Sequence, residues 1–262
     1  MEVIEKSAIH LGLADKQEGS LADRAYAVLR SDILDGAFNP GQPLRLEVLK
    51  ERYGLSFSPI REALTRLSSD HLVVLSSLRG FKVAPVSLDE MWDLISTRLL
   101  IEREALRRSI AKGDDFWEAA ILGAFHALRR SSERVNSDPA AHEELERRHA
   151  DFHAALIAGC GSPSLLKIAA KLYIQSERYR RPTLFRDNNS ARDVMGEHEV
   201  IMAATIGRRS AEALKALTDH YEKTGHTIET VLSKTTIASK PQRPSRSKVA
   251  STGVKRQVRR AR

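Results

Sequence analysis

A single cysteine, Cys160, in 262 residues rules out an internal disulfide and any cysteine-built metal site, since both need a second thiol at defined spacing. It reads as a small apolar packing residue. Long apolar runs are also missing. No stretch approaches eighteen uncharged apolar residues, and an N-terminus holding Glu2, Glu5 and His10 lacks the basic start and apolar run of a secretory signal. A cytoplasmic chain is therefore expected. Several catalytic signatures are absent as well: no serine elbow, no phosphate-cradling glycine loop and no dinucleotide fingerprint. His142-Glu143 and His198-Glu199 are followed by no histidine at zinc-protease spacing.

Acidic residues vanish at the C-terminal end. Residues 233–262 hold ten of the 42 Lys and Arg and no Asp or Glu, so the preceding 232 residues carry 32 basic against 34 acidic side chains. The net charge of +8 thus belongs to this tail. Rich in Ser, Pro, Lys and Arg, it has too little apolar surface to offset the entropy of ordering and is expected to be disordered. It suits non-specific phosphate attraction or a solubilising role. Elsewhere, 42% hydrophobic and 29% charged residues describe an ordinary globular composition, and the length favours two domains.

Residues 1–19 show no sustained period and read as a flexible arm. Residues 20–86 then alternate periods. Leu21, Ala25, Val28, Leu29 and Ile33 recur at helical spacing between a capping Ser20 and Gly36. Asn39-Pro40-Gly41 makes a turn, and Leu44, Val48 and Leu49 supply the apolar face of a short second helix ending at Tyr53-Gly54. A third helix opens near Ser56 or Ser58, has Pro59 in its first turn, and carries Ile60, Ala63, Leu64 and Leu67 on one face. Leu72–Leu75 and Phe81–Val83, joined through Arg79-Gly80, form a hairpin signal. From Ser87, with Glu90 at capping-box spacing, only helices follow: one to about Gly113, then 115–135, 139–159, 163–181, 190–207 and 210–232. The expected architecture is mainly α, a winged helix-turn-helix followed by a six- to seven-helix bundle over residues 87–232.

Helix, helix, tight turn, helix and hairpin together specify a major-groove reader whose third helix presents its N-terminal residues to base edges. The exposed candidates there are Ser56, Phe57, Ser58, Arg61, Thr65 and Arg66. Arg61 is best placed for a bidentate contact with guanine, and Arg79 at the wing tip for the minor groove or a phosphate. The stretch LADRAYAVLRSDILDGAFNPGQPL followed by LKERYGLSFSPIREALTRLSSDHLVVLSSLRGFKVAPVS resembles the DNA-binding domain of GntR-type regulators throughout. By that resemblance Arg30, Arg61 and the Arg79-Gly80 wing map onto DNA-contacting positions. Phe57 stands where the family usually has Arg or another polar residue. It cannot donate to phosphate or guanine but can lie on a thymine methyl, which shifts the expected operator. Leu46 stands where an acidic residue is frequent.

His149 and His153, four apart on one predicted helix, share a face at a spacing that lets two imidazoles reach one ion. His198 and His220 fall on the inner faces of two later helices. Residues from about 88 to 232 resemble the FCD ligand domain of the FadR-type GntR subfamily. Its D-x-x-F-H, E-H and final-helix H pattern maps onto His149, Phe152-His153, Glu197-His198 and His220. Three of four metal positions match, while His149 replaces the usual Asp and removes one negative charge. A divalent cofactor, Zn²⁺ or Ni²⁺, is expected. The alternative is a metal-free polar cavity whose histidines bind a ligand directly.

Arg98 and Glu102, one turn apart, sit where the resemblance places a cavity-facing Arg. They read either as an intrahelical ion pair or as an anchor for a ligand carboxylate. Arg178 and Arg192 are further effector-binding candidates. The resemblance implies a nucleoid-associated homodimer on a palindromic operator, a small organic-acid effector and repression, with no enzymatic activity. A metal-dependent hydrolase and a non-specific DNA-binding protein are the competing readings.

Overall fold

The computed structural model describes residues 19–76, 80–135, 141–184 and 192–238. Arg79, nearly all of the N-terminal arm and residues 239–262 lie outside the described residues. The N-terminal part runs α1 (Leu21–Leu34), β1 (Pro43–Leu44), α2 (Leu46–Tyr53), α3 (Phe57–Ser69), β2 (Val73–Ser76) and β3 (Gly80–Val83). Ser20 caps α1 through a reciprocal box: its hydroxyl accepts from the Asp23 backbone N–H, and the Asp23 carboxylate accepts from the Ser20 N–H. Gly54 ends α2 at φ 64°, in the left-handed region, and so makes the tight turn of the helix-turn-helix.

Sequence periodicity misplaced the start of α2. Leu44 lies in a two-residue strand that pairs with Phe81 of β3, which makes the wing a three-stranded sheet ordered β1-β3-β2. Leu44 is buried by that pairing, whereas Val48, assigned to the apolar face, is exposed. A strand of two residues is too short to show an alternating pattern. Ile60, Leu64 and Leu67 of α3 close on Leu29 and Leu34 of α1 and Leu49 of α2 as one buried core. Each such side chain contributes about 1.5–3 kcal/mol by leaving water.

Among the described residues, six α-helices follow: α4 (Leu88–Lys112), α5 (Asp115–Val135), α6 (His142–Ile157), α7 (Pro163–Leu184), α8 (Val194–Ile206) and α9 (Ser210–Ala238). Ser87 caps α4, with Glu90 N–H donating to its hydroxyl. Met91, Leu106, Ile121, Phe152 and Ile201 are among the residues that build a second core. The last helix runs to Ala238, past the expected end at 232 and into the first residues of the basic tail. Residues 233–238 include no Gly or Pro to stop it, and the first proline comes at Pro241. The expected start of α8 at residue 190 is also late in the structure, because the Asp193 side chain caps Gly196 N–H and sets the first turn there.

Candidate DNA-reading surface and histidine cluster

On α3 the pattern of Ile60, Ala63, Leu64 and Leu67 inward leaves Phe57, Ser58, Arg61, Thr65 and Arg66 on the outer face. Ser56 precedes them, exposed, at the N-cap position. Phe57 is 42% exposed, and the Lys50 ammonium of α2 lies 5.0 Å from its ring centroid. An aromatic face and a cation are thereby presented side by side at the end of α3 that a major groove would receive. Arg66 is turned away from this end: it pairs with Asp23 at 2.6 Å and stacks 4.4 Å over Tyr26. Gly80 opens β3 opposite Ser76.

Arg30 does not join this surface. It faces the helical domain and forms an ion pair with Glu177 of α7, both side chains largely buried (12% and 7% exposed). The contact implied by resemblance is corrected here, since a carboxylate of the second domain already holds the guanidinium. Arg178 is corrected in the same way. Its guanidinium donates to the His71 backbone carbonyl at 2.7 Å and to Glu90, so it belongs to the domain seam and not to the ligand cavity.

The four histidines converge. His149 and His153 come from α6, His198 from α8 and His220 from α9, and one potential ligand atom from each lies within 4.8 Å of the others. His149 Nδ1 is 3.0 Å from the Tyr173 hydroxyl, His153 Nδ1 is 3.4 Å from the Tyr221 hydroxyl, and His220 Nδ1 is 2.8 Å from Glu197. Each of these contacts engages Nδ1 and leaves Nε2 as the ring's other possible ligand atom. Such outer partners fix tautomer and ring orientation in metal sites. Both ring nitrogens of His198 and Nε2 of His153 are buried without a hydrogen-bond partner. Unsatisfied buried polar atoms are costly, and a cation at the centre would use them. The residues therefore fit a divalent ion with nitrogen preference.

Burial, followed by Arg180 and the neighbouring imidazoles, holds His149 well below its ordinary range; burial, followed by His198 and His220 and then by Arg98 and Arg180, does the same to His153; His198 is lowered by burial and by His220. His220 is lowered by burial against the pull of Glu197. All four are thus kept neutral, the state that ligates. Glu197, although burial opposes its charge, is held well below the usual carboxylate range by Arg192 and His220. Arg192 donates to Glu197 at 2.6 Å and to the His220 carbonyl at 3.0 Å, which makes it a support of the cluster from behind.

Arg98 and Glu102 are buried beside the cluster and paired at 2.9 Å. Arg98 also donates to Ser176 at 2.9 Å and Tyr221 at 2.7 Å, and the Tyr221 hydroxyl reaches Glu102. A crevice of about 30 Å³ opens next to His153 between α6 and α7, lined by Ala150, Ala154, Ile157, Ala169 and Tyr173. Sequence reading missed Tyr173, Ser176 and Arg180. Their i, i+3, i+7 spacing on α7 would have put them on one face, but the arginine signal was assigned to Arg178, two residues away and pointing elsewhere. Arg180 pairs with Glu146 at 2.6 Å and donates to Tyr173 at 2.7 Å.

Two family descriptions match the chain: "Bacterial regulatory proteins, gntR family" over residues 21–83 and "FCD domain" over residues 93–223. A regulator of Paraburkholderia xenovorans (strain LB400), described as "Uncharacterized HTH-type transcriptional regulator BphR", is 39% identical over 204 residues, 78% of this chain and 83% of its own length. The "HTH-type transcriptional repressor GlaR" of Escherichia coli (strain K12) is 34% identical over 198 residues, 74% and 90% of the two chains. The solved structure "E. coli McbR/YncC" has the same fold, with TM-score 0.65 at 20% identity, covering 82% of this chain and 100% of that one. These families and relatives are transcriptional regulators, which removes the hydrolase reading. No helix among the described residues is long and apolar enough to cross a membrane. The chain belongs to the GntR family of bacterial transcriptional regulators, in the group whose second domain is FCD.

Proposed function

We propose that this regulator is a repressor that binds a palindromic operator as a homodimer and answers to a small organic acid bound at a metal-containing histidine site. The observation that carries the proposal is the convergence of four imidazoles, one of them, His198, buried with no hydrogen-bond partner for either nitrogen. When bound, a divalent cation supplies a Lewis-acidic centre for a carboxylate or hydroxy acid. His149, His153, His198 and His220 would hold it; Tyr173, Tyr221 and Glu197 orient three of the rings. The all-nitrogen donor set favours Zn²⁺ or Ni²⁺.

Arg98 receives the acid's far end by exchanging one of its present acceptors for a carboxylate oxygen, a bidentate geometry that a guanidinium suits. The crevice has room for about one water, so an effector of several carbons separates α6 from α7 on entry. On the DNA side, Phe57, Ser58, Arg61 and Thr65 face base edges, Arg79 and Gly80 form the wing contact, and Arg66 supports the helix from its flank. The basic segment after residue 238 adds sequence-independent attraction, seen as a shallower salt dependence when it is removed. The named repressor among the relatives supports the sign of regulation.

Metal analysis of untagged protein, paired with the His198→Ala variant, tests the site. One equivalent of metal in the wild type, lost in the variant together with its response to carboxylic acids, is the expected result. No stoichiometric metal in the wild type and an unchanged response in the variant would overturn the proposal, whereas no metal together with a lost response would favour direct ligand binding by the histidines.

A further inference from the structure

We propose that α7 is the element that couples the histidine site to the DNA-reading domain, through the ridge formed by Tyr173, Glu177 and Arg181. The inference rests on the reading of the cluster as a cation site and extends it to the other domain. These three residues are spaced by four and so lie in one row along the helix. Tyr173 at one end touches His149, with 3.0 Å between its hydroxyl and Nδ1. Glu177 one turn on holds Arg30 of α1. Arg181 one turn further pairs with Asp35, the residue that ends α1, at 2.7 Å. Flanking them, Arg178 donates to the backbone of His71, just after α3. One helix therefore contacts a candidate ligand at its middle and, toward its C-terminal end, the first helix of the DNA-binding domain and the turn after α3.

The link is specific because its members are buried. Arg30 is 12% and Glu177 7% exposed, so their pair is not a surface contact that solvent screens to near nothing, and Arg181 is 4% exposed against a half-exposed Asp35. Separating a buried charged group from its partner leaves a desolvated ion, and the domains therefore move with α7 instead of sliding over it. At the cluster end, the Tyr173 hydroxyl already accepts from Arg180 at 2.7 Å. Toward a metal-free His149, that hydroxyl either donates to Nδ1 or accepts from it. With Nε2 of His149 engaged by a cation, the ring proton stays on Nδ1, and Tyr173 must accept from both His149 and Arg180. The His149 donor, coming from α6, then fixes Tyr173 and with it the middle of α7 against α6, and the next two turns of the same row carry that restraint to Arg30 and Asp35.

Hydrogen exchange of the full chain, with Zn²⁺ and with chelator, tests the coupling. In the wild type Zn²⁺ should slow amides of α6, α8 and α9 and, in addition, those of α1 by about threefold or more. In Glu177→Gln, whose amide keeps the shape but not the charge, the slowing of α6, α8 and α9 should persist while the effect on α1 falls to a ratio near one. If Glu177→Gln fails to fold, Asp35→Asn, a substitution at a half-exposed carboxylate, should reduce the α1 response by itself. Zn²⁺ protection of the cluster helices with no α1 response in the wild type, or with an equal one in the variants, overturns the coupling and leaves the cation site standing. Absence of protection at the cluster helices takes down both.

Discussion

Replacing Glu146 with alanine removes the carboxylate that faces Arg180 inside the helical domain, where the two side chains are 4% and 6% exposed and 2.6 Å apart. Burial alone would disfavour the guanidinium charge; Glu146 is the first of the groups that reverse this and hold Arg180 above its ordinary range. Breaking one side of a buried pair costs about 3–5 kcal/mol, because the remaining ion stays desolvated. Arg180 keeps its bond to Tyr173, which places the expected loss near the lower end, about 3 kcal/mol. For a domain of this size that corresponds to a fall of roughly 6–12 °C in Tm. Thermal and urea denaturation with chelator present read the loss directly. The double variant Glu146→Leu with Arg180→Met, which removes both charges, should recover most of it. A loss below about 1 kcal/mol in the single variant, or a double variant as unstable as the single one, would refute the claim that this pair is electrostatically committed.

Arg61→Ala should cost about 1–3 kcal/mol of operator affinity and relax discrimination at one position per half-site; a selection from random sequence that returns an unchanged site would show that Arg61 does not read a base. Acid should destabilise the metal-free protein. The four imidazoles have folded pKa values below their ordinary 6.5, so the unfolded chain binds more protons as pH falls below that value. Stability is therefore full above 6.5 and declines beneath it, by up to about 1.4 kcal/mol per pH unit for each histidine. Urea midpoints that stay level from about pH 7.5 to about pH 5.5 would contradict the buried, neutral state of the cluster.

Most of the fold could be read from the sequence because its elements announce themselves locally. Ser20 and Ser87 are caps, Gly54 makes a turn, and Ile60, Ala63, Leu64 and Leu67 repeat at helical spacing. The histidines were legible for a related reason: each sits one turn from another or on an evidently apolar helix face. What escaped the sequence depends on partners distant along the chain. The strand at Leu44 exists only because Phe81 comes back beside it. Arg30 and Arg178, chosen by resemblance and by residue type, are claimed by Glu177 and by the His71 backbone, 147 and 107 positions away. A cationic side chain says nothing in sequence about which of several carboxylates will neutralise it.

The exchange of an acidic ligand position for His149 bears on which ions the cell can present to the site. Magnesium and calcium, hard cations that demand oxygen donors, find no carboxylate among the four converging side chains, and the neighbouring Glu197, Glu102 and Glu146 are each engaged by an arginine. At the proposed site, magnesium and calcium would thus be disfavoured by donor chemistry before size or geometry matters. Copper stands higher than zinc or nickel in intrinsic affinity for such nitrogens, so in the proposed site the identity of a bound ion would be set by which of these scarce metals the cell leaves available, and the regulator would then inherit a dependence on trace-metal supply that an oxygen-containing site would dilute.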